Sequence, residues 1–351
     1  IPLREWSRIE EGLEQRMTAL NMFIHDLYHE QKVITDGIVP KKLISGSKSF
    51  LPQCIDASPR FNVWAHICGS DLVRDRDGTL YVLEDNLRVP SGVSYMIENR
   101  SITKRVFPEL FRKHRILPVD DYPSHLFDML ASLSPRPLDY PEIVVMTPGI
   151  YNSAYFEHVF LAREMGVPLV EGRDLVVEDG LVQMKTTSGL QRLDVIYRRI
   201  DDEFLDPKQF NPESILGVPG LFDVYRSGRL SLANSVGTGV SDDKAIYAYM
   251  PRIIRFYLDE EPILQNVETH LCREKEGLAY TLANMERLVV KPVGESGGYG
   301  VMVGTKASRS EIEECRAQVK ADPDNYIAQP VVDLSVCPTL VDGGIEPRHV
   351  D

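Results

Sequence analysis

The sequence predicts a mixed architecture, α+β with an α/β section, and three stretches carry that prediction. Residues 72–87 read as two strands folded back on a turn, a strand–helix–strand run begins at Ile143, and residues 287–304 read as strand, glycine-rich loop and strand. A chain of 351 residues is too long for one ordinary core and short for three independent ones, so two or three packed subdomains are expected.

The elements follow in chain order. Trp6, Ile9, Leu13, Met17, Leu20, Ile24 and Leu27 recur at spacings of three and four with charges between them, which predicts a long amphipathic helix ended by Asp36-Gly37 and Pro40. From Leu72 the pattern becomes LVRD, a turn at Arg76-Asp77-Gly78, then TLYVLEDNL, a hairpin with carboxylates at its open end. The proline-rich stretch from Ser134 to Pro141 reads as a linker. Beyond it, Ile143 to Met146 is a buried strand, Ser153 to Met165 a helix stopped by Gly166, and Val167 to Val170 the next strand, the opening of a Rossmann-like βαβ unit. Glu178-Asp179-Gly180 makes a hairpin turn, and Asp194 to Arg199 is a further strand ending in two arginines. Strands are expected over Arg287 to Val293, Val301 to Gly304 and Asn325 to Val332, with a helix between the last two that opens on a Ser310/Glu313 capping box.

Composition excludes several classes. No apolar run approaches the roughly 20 residues of a membrane helix, and no secretory leader is readable, although the chain opens on Ile1 rather than Met. The net charge of −13, with no long basic run, disfavours nucleic acid. Five scattered cysteines with no C-x-x-C pair suggest neither a disulfide framework nor a thiolate zinc site, which fits a reducing cytoplasm.

The loop Gly294-Glu295-Ser296-Gly297-Gly298-Tyr299-Gly300 has neither the P-loop nor the dinucleotide spacing and is followed by a strand rather than a helix. In such a hairpin the backbone N–H groups of Gly294, Ser296, Gly297 and Gly298 can close over phosphate oxygens while Lys291 supplies a point charge. A surface hairpin with a solvated lysine is the plainer alternative, but Lys291 sits inside an apolar strand, where an unpaired ammonium is costly. Asp71, Glu84 and Asn86 lie on the two arms of the other hairpin, so their oxygens can converge on a hard cation such as Mg2+. A strand end running into a turn would also produce Glu-Asp-Asn.

Together these features resemble the ATP-grasp fold, in which two α+β lobes clamp ATP. Lys244 in SDDKAIYAYM resembles the first lysine of that fold, Lys291 the second, Gln329 in YIAQP lies at the hinge strand that contacts adenine, and Asp71 with Glu84 and Asn86 resembles the magnesium set. The metal residues precede the lysines, as a circular permutation would produce. The wording VLEDNLRVPSGVSYMIENR, TPGIYNSAYFEHVFLAREMG, IYRRIDDEFLDP and KPVGESGGYG resembles the circularly permuted type 2 ATP-grasp proteins, relatives of glutathionylspermidine synthase, over almost the whole chain. The family pattern continues past PRHVD with a further segment. On this resemblance residues 1–140 hold the N-terminal helical segment and the metal-binding part, 141–235 a Rossmann-like subdomain and 236–351 the ATP-binding lobe.

The resemblance implies an ATP-dependent carboxylate–amine ligase using ATP and Mg2+, with an acyl phosphate captured by an amine on peptide- or polyamine-type substrates. A protein partner stays open. Arg88 is the candidate for stabilising a transferring phosphoryl group, with Arg198 as a second catalytic arginine, while Ser91, Asn152, Glu157 and Arg199 are candidate substrate contacts. Of Arg198 and Arg199 only one is expected to face a cleft, and a turn-and-cap role is open for Asn152 and Glu157. His158 reads as helix surface. The competing functions are a non-catalytic ATP-binding interaction protein and a kinase that stops at the phosphorylated substrate.

Overall fold

The computed structural model describes residues 1–137, 139–293 and 300–349. Contacts divide the chain into two compact units, one of Ile1–Phe50, Cys68–Asn86 and Gly239–Asp351, the other of Leu51–Ile67 and Leu87–Thr238. The first unit thus draws on both the 1–140 and the 236–351 segments of the division by chain order, and residues 134–141, read as a linker, lie inside the second.

In the first unit the long helix spans Leu3–Tyr28, stopping short of the expected end at Asp36-Gly37, which instead follows a separate short helix Lys32–Thr35; it buries Ile9, Leu20, Phe23, Ile24 and Leu27 along one face, as its periodicity predicts. It packs on the helix Lys244–Leu258. Gly12 is required on this face, because a Cβ there would lie 2.5 Å from the Leu264 side chain. The hairpin pairs Gly69–Arg74 with Leu80–Asn86, and Gln265–Asn266 adds a parallel strand. Asp75 closes its turn by accepting from the backbone of Asp77 and Thr79 at 3.0 and 2.8 Å, and Gly78 takes φ +88°.

A second sheet in this unit runs in the order His270–Leu271, Tyr326–Pro330, Leu288–Pro292, Met302–Val303, all antiparallel. One face is apolar: Leu288, Val290, Met302 and Ala328 pack with Met285, Ile312, Cys315 and Val319. Ile312, Cys315 and Val319 come from the helix Arg309–Ala321, whose start corrects the expected one. The capping box is Ser308 with Glu311, not Ser310 with Glu313: Glu311 N donates to Ser308 Oγ at 3.3 Å and Ser308 N to Glu311 Oε2 at 2.7 Å. Both registers satisfy S-x-x-E; the earlier one adds two residues to the helix and their backbone hydrogen bonds.

The second unit is built on a parallel sheet in the order Leu169–Val170, Ile143–Met146, Val195–Arg198, Ser231–Ala233. The helix Tyr155–Met165 and the helix Tyr122–Ser132 bury Phe160, Leu161, Leu126 and Leu130 with Val145, Val195 and Tyr197. Gly166 ends the βαβ helix in the left-handed region at φ +71°, as a C-terminal glycine should. Leu175–Glu178 and Leu181–Thr186 meet at a turn with Asp179 and Gly180 both at positive φ. Arg136 pairs bidentately with the buried Asp194 at 2.6 and 2.8 Å, which ties residues 134–141 to the strand Val195–Arg198. No helix among the described residues is long and apolar enough to cross a membrane.

Candidate functional site

In the first unit, register decides which side chains of the hairpin meet. Asp71 stands opposite Glu84, Gly69 opposite Asn86 and Ser70 opposite Asp85. Directly opposed residues share a face, so Asp71, Glu84 and Asn86 project to one side and Ser70 and Asp85 to the other. Between Asp71 and Leu72 the register shifts, because Leu72 pairs with Val82 and leaves Leu83 as a bulge residue. The bulge turns Val82, fully buried against Tyr247 and Leu264, to the same side as Asp85. Simple alternation from 82 to 84 would have set Glu84 into that core. Asn86 Nδ2 donates to the Gly69 carbonyl at 3.3 Å, which fixes its amide beside the two carboxylates.

Lys244 is the first residue of its helix. Asp243 caps that helix, accepting from Ala245 N at 2.8 Å. The Lys244 ammonium lies 3.5 Å from Glu84 Oε2, and its backbone N–H reaches the Val293 carbonyl at 3.5 Å. Val293 directly follows the strand of Lys291. On that strand Lys291 pairs with Ile327 and Val289 with Gln329, so Lys291 and Gln329 share the face turned away from the apolar cluster of Leu288, Val290 and Ala328. Burial pushes the Lys291 ammonium below the ordinary lysine pKa; the carboxylates of Glu84 and Asp71 oppose this shift, and Lys244 adds to it. Lys291, Lys244, Glu84 and Asp71 are therefore within electrostatic reach of one another. Gln329 is buried and donates Nε2 to Thr269 Oγ1 at 2.9 Å. The expected phosphate contacts Gly294, Ser296, Gly297 and Gly298 lie outside the described residues.

Two carboxylates and an amide are hard-oxygen donors of the kind that magnesium takes a few of, leaving other positions to phosphate and water. The donor chemistry of Asp71, Glu84 and Asn86 fits that ion. Among the described residues no cluster of three His, Cys, Asp or Glu side chains is placed to hold a metal, so an amide-completed set is what this unit offers.

Sequence reasoning missed what stands behind the hairpin. Arg16, 2% exposed, donates Nε to both oxygens of Asp85 at 2.9 and 2.7 Å and Nη1 to Asn266 Oδ1 at 2.8 Å. Its signal was present: an arginine one turn from Leu20 and close to Ile9 and Leu13, on the apolar side of the helix, must have a buried partner.

In the second unit the strands Ile143–Met146 and Val195–Arg198 end side by side, and the chain leaves Ile143–Met146 toward one neighbour and returns on its other side. Carboxyl ends at such a switch are where open α/β sheets hold ligands. Arg199, just past one strand, donates Nη1 to the Pro90 carbonyl at 2.6 Å and to the Tyr197 hydroxyl at 3.0 Å, and Nη2 to Glu157 Oε1 at 3.2 Å, while its buried Nε meets no protein acceptor. Glu157 Oε2 accepts from Gly92 N, Ser94 N and Ser94 Oγ at 2.8, 3.0 and 2.9 Å. Glu157 thus caps the helix Val93–Val106 from another element, and at 1% exposure both its oxygens are occupied by protein donors. Both oxygens being taken, Glu157 has a capping and pairing role within the protein.

Arg198, expected to be catalytic, is corrected on similar grounds. It is 1% exposed, with Nε on Asn234 O at 2.6 Å, Nη1 on Ile200 O at 2.9 Å, and Nη2 on Ser235 O at 2.9 Å and on Asp202 Oδ1 at 2.8 Å. The strand Val195–Arg198 is buried on both faces, so alternation does not leave one of the two arginines exposed. His158 is not surface: it is 1% exposed and its Nδ1 lies 2.8 Å from Thr147 Oγ1, which accepts from Gly149 N at 3.2 Å. Burial and the charge of Arg199 bring its pKa to about 3. Asn152 Oδ1 accepts from Ala154 N at 2.9 Å, the turn role left open for it, Ser91 is exposed, and Arg88 pairs with Asp201 at 3.2 Å with both side chains partly exposed.

Residues 1–351 match the family model described as circularly permuted ATP-grasp type 2. An uncharacterized protein of Synechocystis sp. is 55% identical over 347 residues, covering 99% of this chain and 72% of that relative. One from Mycobacterium tuberculosis is 48% identical over 347 residues, covering 99% and 63%. A Frankia alni protein named "Putative glutamate--cysteine ligase 2-3" is 42% identical over 348 residues, covering 99% and 40%. The chain thus spans less than two thirds of the length of the latter two. A glutathione synthetase-like effector from Globodera pallida, in its apo form, superposes with a TM-score of 0.57 at 12% identity, covering 96% of this chain and 74% of the effector, a likeness of fold.

Proposed function

Because the chain belongs to the circularly permuted ATP-grasp type 2 family, we propose that it is an ATP-dependent ligase that joins a carboxylate to an amine and releases ADP and phosphate. The observation that carries this reading is the gathering of Lys244, Lys291, Glu84 and Asp71 within electrostatic reach on one unit. A nucleotide triphosphate needs cations for its phosphates and oxygen ligands for its metal in one place. A module that only bound nucleotide could dispense with the carboxylates.

In this reading Lys291 and Lys244 bind phosphate oxygens. The partial burial of Lys291 excludes water and strengthens its attraction for an incoming phosphate. Gln329, on the same face, orients the base. Asp71, Glu84 and Asn86 would hold magnesium, which when bound neutralises phosphate charge. Attack of the substrate carboxylate on the γ-phosphorus forms the new O–P bond as the bond to ADP breaks. An amine then attacks the acyl phosphate, expelling phosphate and forming the amide. On the acceptor side, Arg199 offers its remaining Nε–H, Glu157 and His158 hold the surrounding loops, and Ser91, Asn152 and Arg88 contribute polar contacts. The name borne by the Frankia relative points to an amino acid or short peptide on the carboxylate side.

The test is a screen of amino acid and peptide carboxylates against amines, polyamines included, for ADP release. A ligase requires both members of a pair for full turnover. ADP release that a carboxylate alone supports at the full rate indicates a kinase, and nucleotide binding without turnover on any pair indicates an interaction protein.

A further inference from the structure

The strand bearing Glu84 and Asn86 is anchored from behind, next to its weakest point. Leu83 is the bulge residue, without a partner across the hairpin, so the strand is locally kinked there and the pairing of Glu84–Asn86 with Gly69–Asp71 runs in a register shifted from that of Leu80–Val82. The anchor is two residues on. Asp85 accepts from Arg16 Nε on both oxygens, with Nη2 at an ion-pair distance of 2.7 Å, and Ser70 Oγ donates to it at 2.7 Å from the facing strand. The same guanidinium continues to Asn266 Oδ1 at 2.8 Å; Asn266 Nδ2 donates to the Tyr247 carbonyl at 2.7 Å, and the Tyr247 hydroxyl donates to the Val82 carbonyl. Tyr247 lies three residues after Lys244, on the first turn of the same helix.

Stability alone does not account for this device. The desolvation of a buried arginine and aspartate roughly cancels their attraction, and well-packed apolar side chains hold such a core as firmly. A planar fork on a carboxylate sets an orientation, which apolar contact does not. With Asp85 fixed inward, alternation directs Glu84 and Asn86 outward.

We propose that Arg16 is a positioning residue: through Asp85 it sets the roll of the Glu84–Asn86 segment, and through Asn266 and Tyr247 it seats the helix that begins at Lys244, so that the carboxylates and the lysine meet a magnesium nucleotide in register. This rests on reading the first unit as a magnesium–nucleotide site. The long N-terminal helix is then part of the machinery, although none of its residues is among those proposed to bind nucleotide or metal.

The experiment compares wild type, Arg16→Met, Arg16→Met/Asp85→Asn, Arg16→Lys and Glu84→Gln in the full chain, by thermal unfolding and by calorimetry of ADP binding in EDTA and across a magnesium titration. Arg16→Met strands a buried carboxylate and lowers the unfolding midpoint. The double variant removes both charges and recovers most of that loss. Its magnesium requirement for tight ADP binding nevertheless stays raised by tenfold or more, a larger change than that in ADP affinity in EDTA. Arg16→Lys, which keeps the charge but not the fork, keeps the midpoint nearer wild type and shows the same raised requirement. A double variant or an Arg16→Lys protein with the wild-type magnesium requirement, while Glu84→Gln raises it, overturns the role of Arg16 and leaves the metal assignment standing. A Glu84→Gln protein with the wild-type requirement overturns both.

Discussion

The Lys244 ammonium lies 3.5 Å from Glu84 Oε2, although 160 positions separate the two residues in the chain. The pair is partly solvated, so its own contribution to stability is at most about 1 kcal/mol. A carboxylate so placed can instead exchange a lysine for a divalent cation while the lysine moves to phosphate. Glu84→Gln is therefore expected to lower magnesium-dependent ADP formation by orders of magnitude while shifting the unfolding midpoint little. Turnover measured against magnesium concentration, beside thermal unfolding, checks this. Wild-type turnover in a folded Glu84→Gln protein would remove Glu84 from the metal set.

Lys291 is expected to act on nucleotide affinity. Its ammonium is partly desolvated, with a pKa below the ordinary lysine value because of burial. Losing one charge-assisted contact to phosphate costs about 1.5–3 kcal/mol, or roughly 10- to 150-fold in Kd. Calorimetry of ATP binding to Lys291→Ala reads this directly. Unchanged affinity in the folded variant would place the triphosphate elsewhere.

Much of this arrangement was legible in the sequence, and the failures have physical causes. The face shared by Glu84 and Asn86 followed from a spacing of two, and the opposite face of Asp85 from the same rule. The bulge at Leu83 did not, because a bulge is settled by what Val82 packs against. Arg198 and Arg199 were read by alternation, which discriminates only where one face of a sheet is wet. Their strand is central in a parallel sheet, and both guanidiniums found partners on neighbouring segments. His158 read as helix surface; its burial and that of Glu157 go with partners on other elements, Thr147 and Arg199. Cys68–Asn86 groups with residues beyond 239, a joining of distant segments that the permuted order of the motifs implies and that local pattern alone does not carry.

His158 supplies a pH dependence with a definite sign. Its folded pKa, about 3, lies below the roughly 6.5 of an unfolded histidine, and His66 is likewise brought down to about 4 by burial. Below pH 6.5 the unfolded chain takes up protons that the folded chain refuses. The stability present above that pH is therefore lost progressively as pH falls from 6.5 toward the folded values. Each such histidine contributes a slope approaching about 1.4 kcal/mol per pH unit in that window. Denaturant unfolding of wild type and His158→Gln at several pH values between 7 and 4 should show the variant losing less stability on acidification, by up to one proton's worth of slope. Parallel profiles for the two proteins would mean that His158 protonates freely in the folded state.

Glu157 separates a role behind the substrate from a role against it. Its Oε2 accepts three hydrogen bonds from Gly92 and Ser94 at the start of the helix Val93–Val106, and its Oε1 faces Arg199, which is buried with it. Removing one member of a buried ion pair leaves the other charge stranded, at a cost of about 3–5 kcal/mol, and the lost cap adds about 1 kcal/mol. Glu157→Ala should therefore be severely destabilised. Glu157→Gln keeps an acceptor oxygen for the helix but loses the charge opposite Arg199, so it should fold with a smaller loss. If Arg199 holds the acceptor substrate through its Nε–H, Glu157→Gln should also raise KM for the carboxylate or the amine without changing the affinity for ATP, because the residues proposed to bind nucleotide, Lys244 and Lys291, make no contact with Glu157. Denaturant unfolding of both variants and steady-state kinetics on Glu157→Gln read these effects separately. A Glu157→Ala protein within about 0.5 kcal/mol of wild type, the range of ordinary surface substitutions, would mean that this carboxylate is free to meet a ligand and that the cap is dispensable.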